Sequence, residues 1–171
     1  RLSDLDDLLL CDASPREAWA GILDEKVMRR EIARELRHAS NSIYTVDQEA
    51  VTADEKETDI RLRSVNSKHE AVIELKLGDR RTFKDLRDTI ENQLVRKYMA
   101  AEHSKAGVLL VTLAKDRHWK VENRFIQADE LLSLLKDEAA RVQEASGGEV
   151  FIGVHLLDLR PRLPVESQAK S

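Results

Sequence analysis

The stretch Val72-Ile73-Glu74-Leu75-Lys76-Leu77, read together with Asp59-Ile60-Arg61-Leu62-Arg63-Ser64-Val65, decides the fold of this chain. The earlier segment alternates polar and apolar residues, the later one is nearly apolar, and Asn66-Ser67-Lys68-His69 supplies turn residues between them. That spacing predicts a β-hairpin. Side chains alternate faces along a strand, so Ile73, Leu75 and Leu77 enter a core while Glu74 and Lys76 sit side by side on the other face. Charges in such a strand cost free energy unless they are paired, hydrated or bound to a metal.

Register decides whether Asp59 joins them. Residues directly opposite on antiparallel strands share a face, so pairings whose numbers sum to an odd value place Asp59 with Glu74 and Lys76. A two-residue turn at Asn66-Ser67 sets Asp59 opposite Glu74, and a four-residue turn from Asn66 to His69 sets it opposite Lys76. A three-residue turn sends it to the wrong face. Two converging carboxylates suit a hard divalent cation; Mg²⁺ takes a few carboxylates, a carbonyl and retained waters. Asp59, Glu74 and the backbone carbonyl of Leu75 are the expected ligands, with Mn²⁺ as a substitute ion. Such an ion can activate water and polarise a phosphoryl oxygen while Lys76 orients the water or neutralises developing charge, the equipment for hydrolysing a phosphodiester.

Working outward, Ser14-Pro15 reads as a helix start. Val27, Met28, Ile32 and Leu36 recur at helical spacing between Asp24 and Ala39, with a stop near Ser40-Asn41. Glu31 and Glu35 fall within the arc of those apolar residues. One of them, Glu31 by preference, is expected to join the site as a ligand or as a partner of a metal-bound water; alternatively both lie at the stripe's edge and reach solvent. Ile43, Tyr44 and Val46 favour a strand, and Thr52 to Thr58 a loop or strand extension. Thr82-Phe83-Lys84-Asp85 has the capping-box pattern, and a long helix is expected from it to about Ala101, with Phe83, Leu86, Ile90 and Leu94 facing the core. Gly107 to Leu113 reads as a buried strand, Asp129 to Ala145 as a helix stopped by Gly147-Gly148, and Val150 to Leu159 as a last strand. The order is helix, three strands, helix, strand, helix, strand: an α/β fold with a mixed central sheet and helices on its faces.

The 171 residues are 42% hydrophobic and 35% charged, which fits one globular domain with a genuine core and excludes disorder. A single cysteine, Cys11, excludes an internal disulfide or a cysteine zinc site, so a cytoplasmic setting is expected. The longest nearly apolar run, Ala106 to Leu113, is far short of the roughly 20 residues that span a bilayer, so no membrane partner is expected. A net charge of −4 argues against a globally basic nucleic-acid binder and leaves local patches to be weighed. The chain starts at Arg1, which suggests a segment of a longer protein with further domains.

Asp59, then Glu74-Leu75-Lys76 on the next strand, in this element order, resembles the PD-(D/E)XK nuclease superfamily, the restriction-endonuclease-like fold. The resemblance runs from about Asp24 to Leu113. It implies an α-β-β-β-α-β core plus a C-terminal helix and strand, and metal-dependent cleavage of a nucleic acid, most readily DNA. Asp59 and Glu74 are then metal ligands and Lys76 the catalytic lysine. Gln93-Leu94 with Tyr98 is similar to the glutamine-tyrosine element of some branches, one residue longer in spacing, which adds Gln93 to the expected catalytic residues. Thr58 stands where the superfamily name has proline. A second acid-x-lysine match, Asp54-Glu55-Lys56, lacks an apolar strand around it. The domain is expected over residues 24–160, after an N-terminal lead-in or linker helix over 1–23 and before a polar tail over 161–171. The same resemblance leads to the expectation of an effector domain within a larger restriction or phage-defence protein. Dimerisation would supply two sites for two strands, although no residue here establishes it.

Arg80-Arg81, Arg96-Lys97 and the run Lys115, Arg117, Lys120 are candidate phosphate contacts, with Trp119 a candidate for stacking on a base; each is otherwise a solvated face. The five histidines show no ligand spacing. Two other readings stand beside the nuclease. One is a noncatalytic nucleic-acid- or protein-binding module on the same fold. The other is a structural domain in which Glu74 and Lys76 form a surface ion pair on a half-exposed sheet.

Overall fold

The computed structural model describes residues 2–48, 59–98 and 104–162, the side chains at 48, 59 and 96–98 excepted. Three helices come first: α1 (Leu2–Leu10), α2 (Arg16–Ala20) and α3 (Glu25–His38). Asp24 caps α3, its carboxylate accepting the Lys26 N–H at 2.7 Å, and Met28, Ile32 and Leu36 form the buried stripe that the spacing predicts. Strands β1 (Tyr44–Gln48), β2 (Asp59–Ser64) and β3 (Glu70–Leu77) follow. After a 3₁₀ turn at Gly78–Arg80 come α4 (Phe83–Thr89), a π-helical continuation over Ile90–Tyr98, and β4 (Ser104–Leu113). The chain then forms a small hairpin, β5 (Trp119–Val121) and β6 (Arg124–Ile126), then α5 (Ala128–Ala145) and β7 (Phe151–Asp158).

The main sheet has five strands in the order β1-β2-β3-β4-β7. The first three are antiparallel neighbours, and β3, β4 and β7 are parallel, so the sheet is mixed and the fold is α/β. Helices α1, α2 and α3 cover one face, burying Ile73, Leu75 and Leu77 of β3. On the other face α4, its π continuation and α5 pack over Leu109, Val111 and Leu113. Glu74 and Lys76 pair across the ladder with Leu109 and Val111, so they point into this second layer. No helix among the described residues is long and apolar enough to cross a membrane.

Three elements depart from the sequence reading. Residues 1–23 are expected as a lead-in, yet over 2–23 helices α1 and α2 pack on the core: Leu5, Leu9 and Trp19 are buried, and Arg16 donates to the carbonyls of Leu9, Asp158 and Arg160, tying α2 to the end of β7. The β5–β6 hairpin carries little sequence signal; Glu122-Asn123 is a weak turn pair, yet Glu122 takes a φ of 51° in the two-residue turn. The long helix changes winding at Ile90. Its core residues Leu86, Ile90 and Leu94 recur every four positions, longer than the 3.6-residue α turn, and the wider π winding keeps all three fully buried. The Thr89 hydroxyl, donating to the Asp85 carbonyl at 2.8 Å, loosens the ladder just before the change. The Thr52–Thr58 reading, the Asp54-Glu55-Lys56 match, the helix end near Ala101 and positions 163–171 of the tail lie outside the described residues.

The cap of α4 forms as expected, with Thr82 Oγ accepting the Asp85 N–H at 3.1 Å and Asp85 accepting the Thr82 N–H at 2.9 Å. Hydrogen bonds from the Thr82 backbone and side chain hold the Asp85 carboxyl below its ordinary value. A depressed carboxyl contributes stability above its unfolded pKa and loses it as pH falls through the folded one, so the cap weakens in acid. Thr82→Ala is expected to cost about 1 kcal/mol in urea unfolding at neutral pH.

Candidate active site

Strand β2 meets β3 with Asp59 opposite Glu74. This is the odd-sum register, with the hairpin closed by the Ser64 N–H donating to the His69 carbonyl. Position 59 therefore lies on the face of Glu74 and Lys76. Arg61 and Arg63 continue that face along β2, paired with Glu70 at 3.6 and 3.0 Å, and Arg63 also reaches Asp47 at 3.1 Å. Leu75 lies one residue beyond the last β2–β3 pair, with its side chain in the opposite core.

The Glu74 and Lys76 side chains are 1% and 8% exposed, and Lys76 Nζ stands 2.5 Å from Glu74 Oε1. This overturns the surface-ion-pair reading, because the second helical layer covers the face left open in that reading. Burial makes the pair consequential, because two charges so little exposed must be compensated within the protein.

A second carboxylate approaches Lys76 from another layer. Glu25, at the start of α3, has Oε2 4.0 Å from Lys76 Nζ, while its Oε1 accepts from the Leu77 N–H at 3.3 Å and from Arg81 Nη2 at 2.8 Å. Glu74, Lys76, Glu25 and Arg81 thus form a chain of alternating charge around the end of β3. Of the acids of this helix, Glu25 rather than Glu31 or Glu35 has a contact that reaches Lys76. Glu31 pairs with Arg34 at 2.6 Å, and Glu35 with Arg34 and His38 at 3.3 and 3.7 Å. None of those contacts reaches Glu74 or Lys76. A helical wheel reports which side of a helix a residue occupies but not which end of the helix meets the strand, and Glu25, in the first turn of α3, is the acid that reaches the end of β3.

Lys76 opens into a cavity of about 200 Å³ whose other walls are Arg81, Asp85, Asp88, Thr89, Asn92 and Gln93. Gln93 and Lys76 therefore share one cavity, brought together by the packing of the π segment on β3. The Lys84 side chain, hydrogen-bonded to Asp88 at 2.6 Å, draws the Asp88 carboxyl below its ordinary value, so both acids of the rim are ionised at neutral pH.

The basic run after β4 divides. Lys115 and Lys120 are exposed. Trp119 is 1% exposed with its indole N–H donating to the Arg81 carbonyl at 3.1 Å, so it cannot stack on a base. Arg117 lies over the Trp119 ring and donates to the carbonyls of Gly78 and Asp79, which makes it a brace of the loop after β3. Apolar packing claims this tryptophan, and a basic neighbourhood in sequence concealed it. The side chains of Arg96, Lys97 and Tyr98 lie outside the described residues.

Among the described side chains, to which that of Asp59 does not belong, no group of three or more His, Cys, Asp and Glu could hold a metal ion. No family model, curated protein or solved structure matches the chain.

Proposed function

We propose that this chain is a divalent-metal-dependent nuclease domain of the PD-(D/E)XK type, with a restriction-endonuclease-like fold, that hydrolyses phosphodiester bonds in DNA. The observation that carries the reading is the buried Glu74–Lys76 pair with Asp59 at the facing register position. A carboxylate and an ammonium held together beneath a helical layer carry a desolvation cost that well-packed apolar residues of similar volume would avoid. Retaining them is understandable where they act.

The donor chemistry fits a hard cation such as Mg²⁺ or Mn²⁺, which prefers carboxylate and carbonyl oxygens. Asp59, Glu74 and the Leu75 carbonyl would hold it. When bound, such an ion supplies an acidified water and charge stabilisation at the phosphorus. The chain's own residues do the rest. The Lys76 ammonium, fixed between Glu74 and Glu25, is set to orient a water or to offset charge on the phosphoryl oxygens. Gln93, across the same cavity, offers an amide that can donate to one oxygen and accept from a water. The five-residue step from Gln93 to Tyr98, one residue longer than in the exonuclease-type element, is about one turn of the π winding over Ile90–Tyr98.

A noncatalytic binding module draws on one observation, that Lys76 Nζ and Glu74 Oε1 pair directly. Cleavage decides between the two. Plasmid and oligonucleotide substrates are expected to be cut with Mg²⁺ or Mn²⁺ and protected by EDTA, with RNA and DNA compared in parallel. Cleavage that persists in purified Asp59→Ala and Lys76→Ala variants would falsify the assignment.

A further inference from the structure

Arg81 is the least expected member of the charge chain. Its backbone is held both by its own loop and by a distant segment. The Arg81 carbonyl accepts from the Trp119 indole at 3.1 Å and its N–H donates to Gly78. Two residues earlier, the Asp79 carboxylate accepts the N–H groups of Ala114 and Lys115 at 2.8 and 3.2 Å, and Arg117 holds the carbonyls on either side. Gly78 sits so close to β4 that a Cβ there would come within 2.8 Å of Val111 and 2.9 Å of the Thr112 carbonyl. The loop carrying Arg81 is therefore tied to β4 and β5 at several points.

The head group has more freedom. The Arg81 side chain is 39% exposed, lines the cavity it shares with Lys76 and Gln93, and is held there by the Glu25 carboxylate through Nε and Nη2 at 3.3 and 2.8 Å. Glu25 does not depend on it, because the same carboxylate accepts the Leu77 N–H and lies 4.0 Å from Lys76. An anion could take over the guanidinium without leaving a carboxylate orphaned. A guanidinium on a rigid stem beside a buried ammonium matches a phosphate, whose oxygens accept its forked donors two at a time.

We propose that Arg81 grips a phosphodiester of the nucleic acid in the Lys76 cavity, exchanging Glu25 for the phosphate as substrate enters. The inference rests on the nuclease reading for the identity of the cavity, and it is tested without catalysis. Binding of labelled single- and double-stranded oligonucleotides is measured in EDTA over a range of salt, for the wild type, Arg81→Gln, Arg81→Lys and, as a control away from the cavity, Arg34→Gln. Arg81→Gln is expected to weaken binding about 10- to 100-fold and to reduce the slope of log affinity against log salt by about one. Arg81→Lys is expected to keep the slope, because the charge remains, and to lose part of the affinity with the fork. Arg34→Gln should change neither.

Thermal melting of the same samples separates a brace from a contact. If Arg81→Gln lowers the melting temperature while slope and affinity stay at wild-type values, Arg81 only ties α3 to β3 and the proposal is overturned. Failure of the wild type to bind either oligonucleotide overturns it as well. Absence of cleavage with the slope change intact removes the hydrolytic reading and leaves the Arg81 contact standing.

Discussion

Lys76→Met is expected to lower folding stability by about 3–5 kcal/mol and to abolish metal-dependent cleavage, while the double variant Glu74→Gln/Lys76→Met regains most of the stability and none of the activity. The reason is the burial of both charges. Lys76 Nζ is 2.5 Å from Glu74 Oε1 with the two side chains 8% and 1% exposed, so removing the ammonium takes the nearest opposite charge from a carboxylate that is itself almost wholly buried. Removing both charges removes the desolvation penalty with the attraction, and buried pairs replaced by neutral groups of similar volume are commonly no less stable than the original. Activity follows a different rule, since a reaction that needs the ammonium gains nothing from a well-packed methionine. Urea unfolding and plasmid cleavage on the same preparations check both halves. Equal stability of the single and double variants would mean that Glu74 and Lys76 are not energetically coupled, and cleavage by either variant would remove Lys76 from the chemistry.

What the sequence made legible is the part of the fold set by local period. The alternation in β2 and the apolar run of β3 gave the hairpin, and parity limited Asp59 to one face once the turn closed in the odd-sum register. The Thr82 cap, the α3 stripe and the Gly147-Gly148 stop rest on rules that operate within a turn or two of chain. What escaped was set by packing between distant segments. Glu25 looks like an ordinary first-turn acid beside a capping aspartate, and nothing near it in sequence says that Arg81 and Lys76 will stand next to it. Trp119 sits among basic residues, but the side of the small hairpin that faces Leu86 and Leu131 takes it into the core. The expectation of a half-exposed face behind Glu74 and Lys76 failed for the same cause. Alternation shows which residues share a face; it does not show that α4 and its π continuation cover β3 and β4 on that side.

That covering also sharpens the expectation for Asp59. Carboxylates at directly facing positions of an antiparallel pair repel when no cation lies between them, at a cost of roughly 0.2–1 kcal/mol. Asp59→Asn is therefore expected to leave stability in EDTA unchanged or to raise it by up to about 1 kcal/mol. Metal reverses the order. A cation that binds only the folded chain stabilises it by about 2.7 kcal/mol at a concentration one hundred times its dissociation constant, so the wild type should gain in melting temperature as Mg²⁺ or Mn²⁺ is added. The variant, with one ligand made neutral, should gain little, and its cleavage should fall by at least about 10²-fold. Melting curves with and without metal, run beside cleavage assays, give two readouts of opposite sign from one substitution. An Asp59→Asn protein that melts lower than the wild type in EDTA would show that Asp59 has a structural partner on β3. One that keeps the full metal-induced shift would remove Asp59 from the ligand set and leave Glu74 to bind the cation through other oxygens.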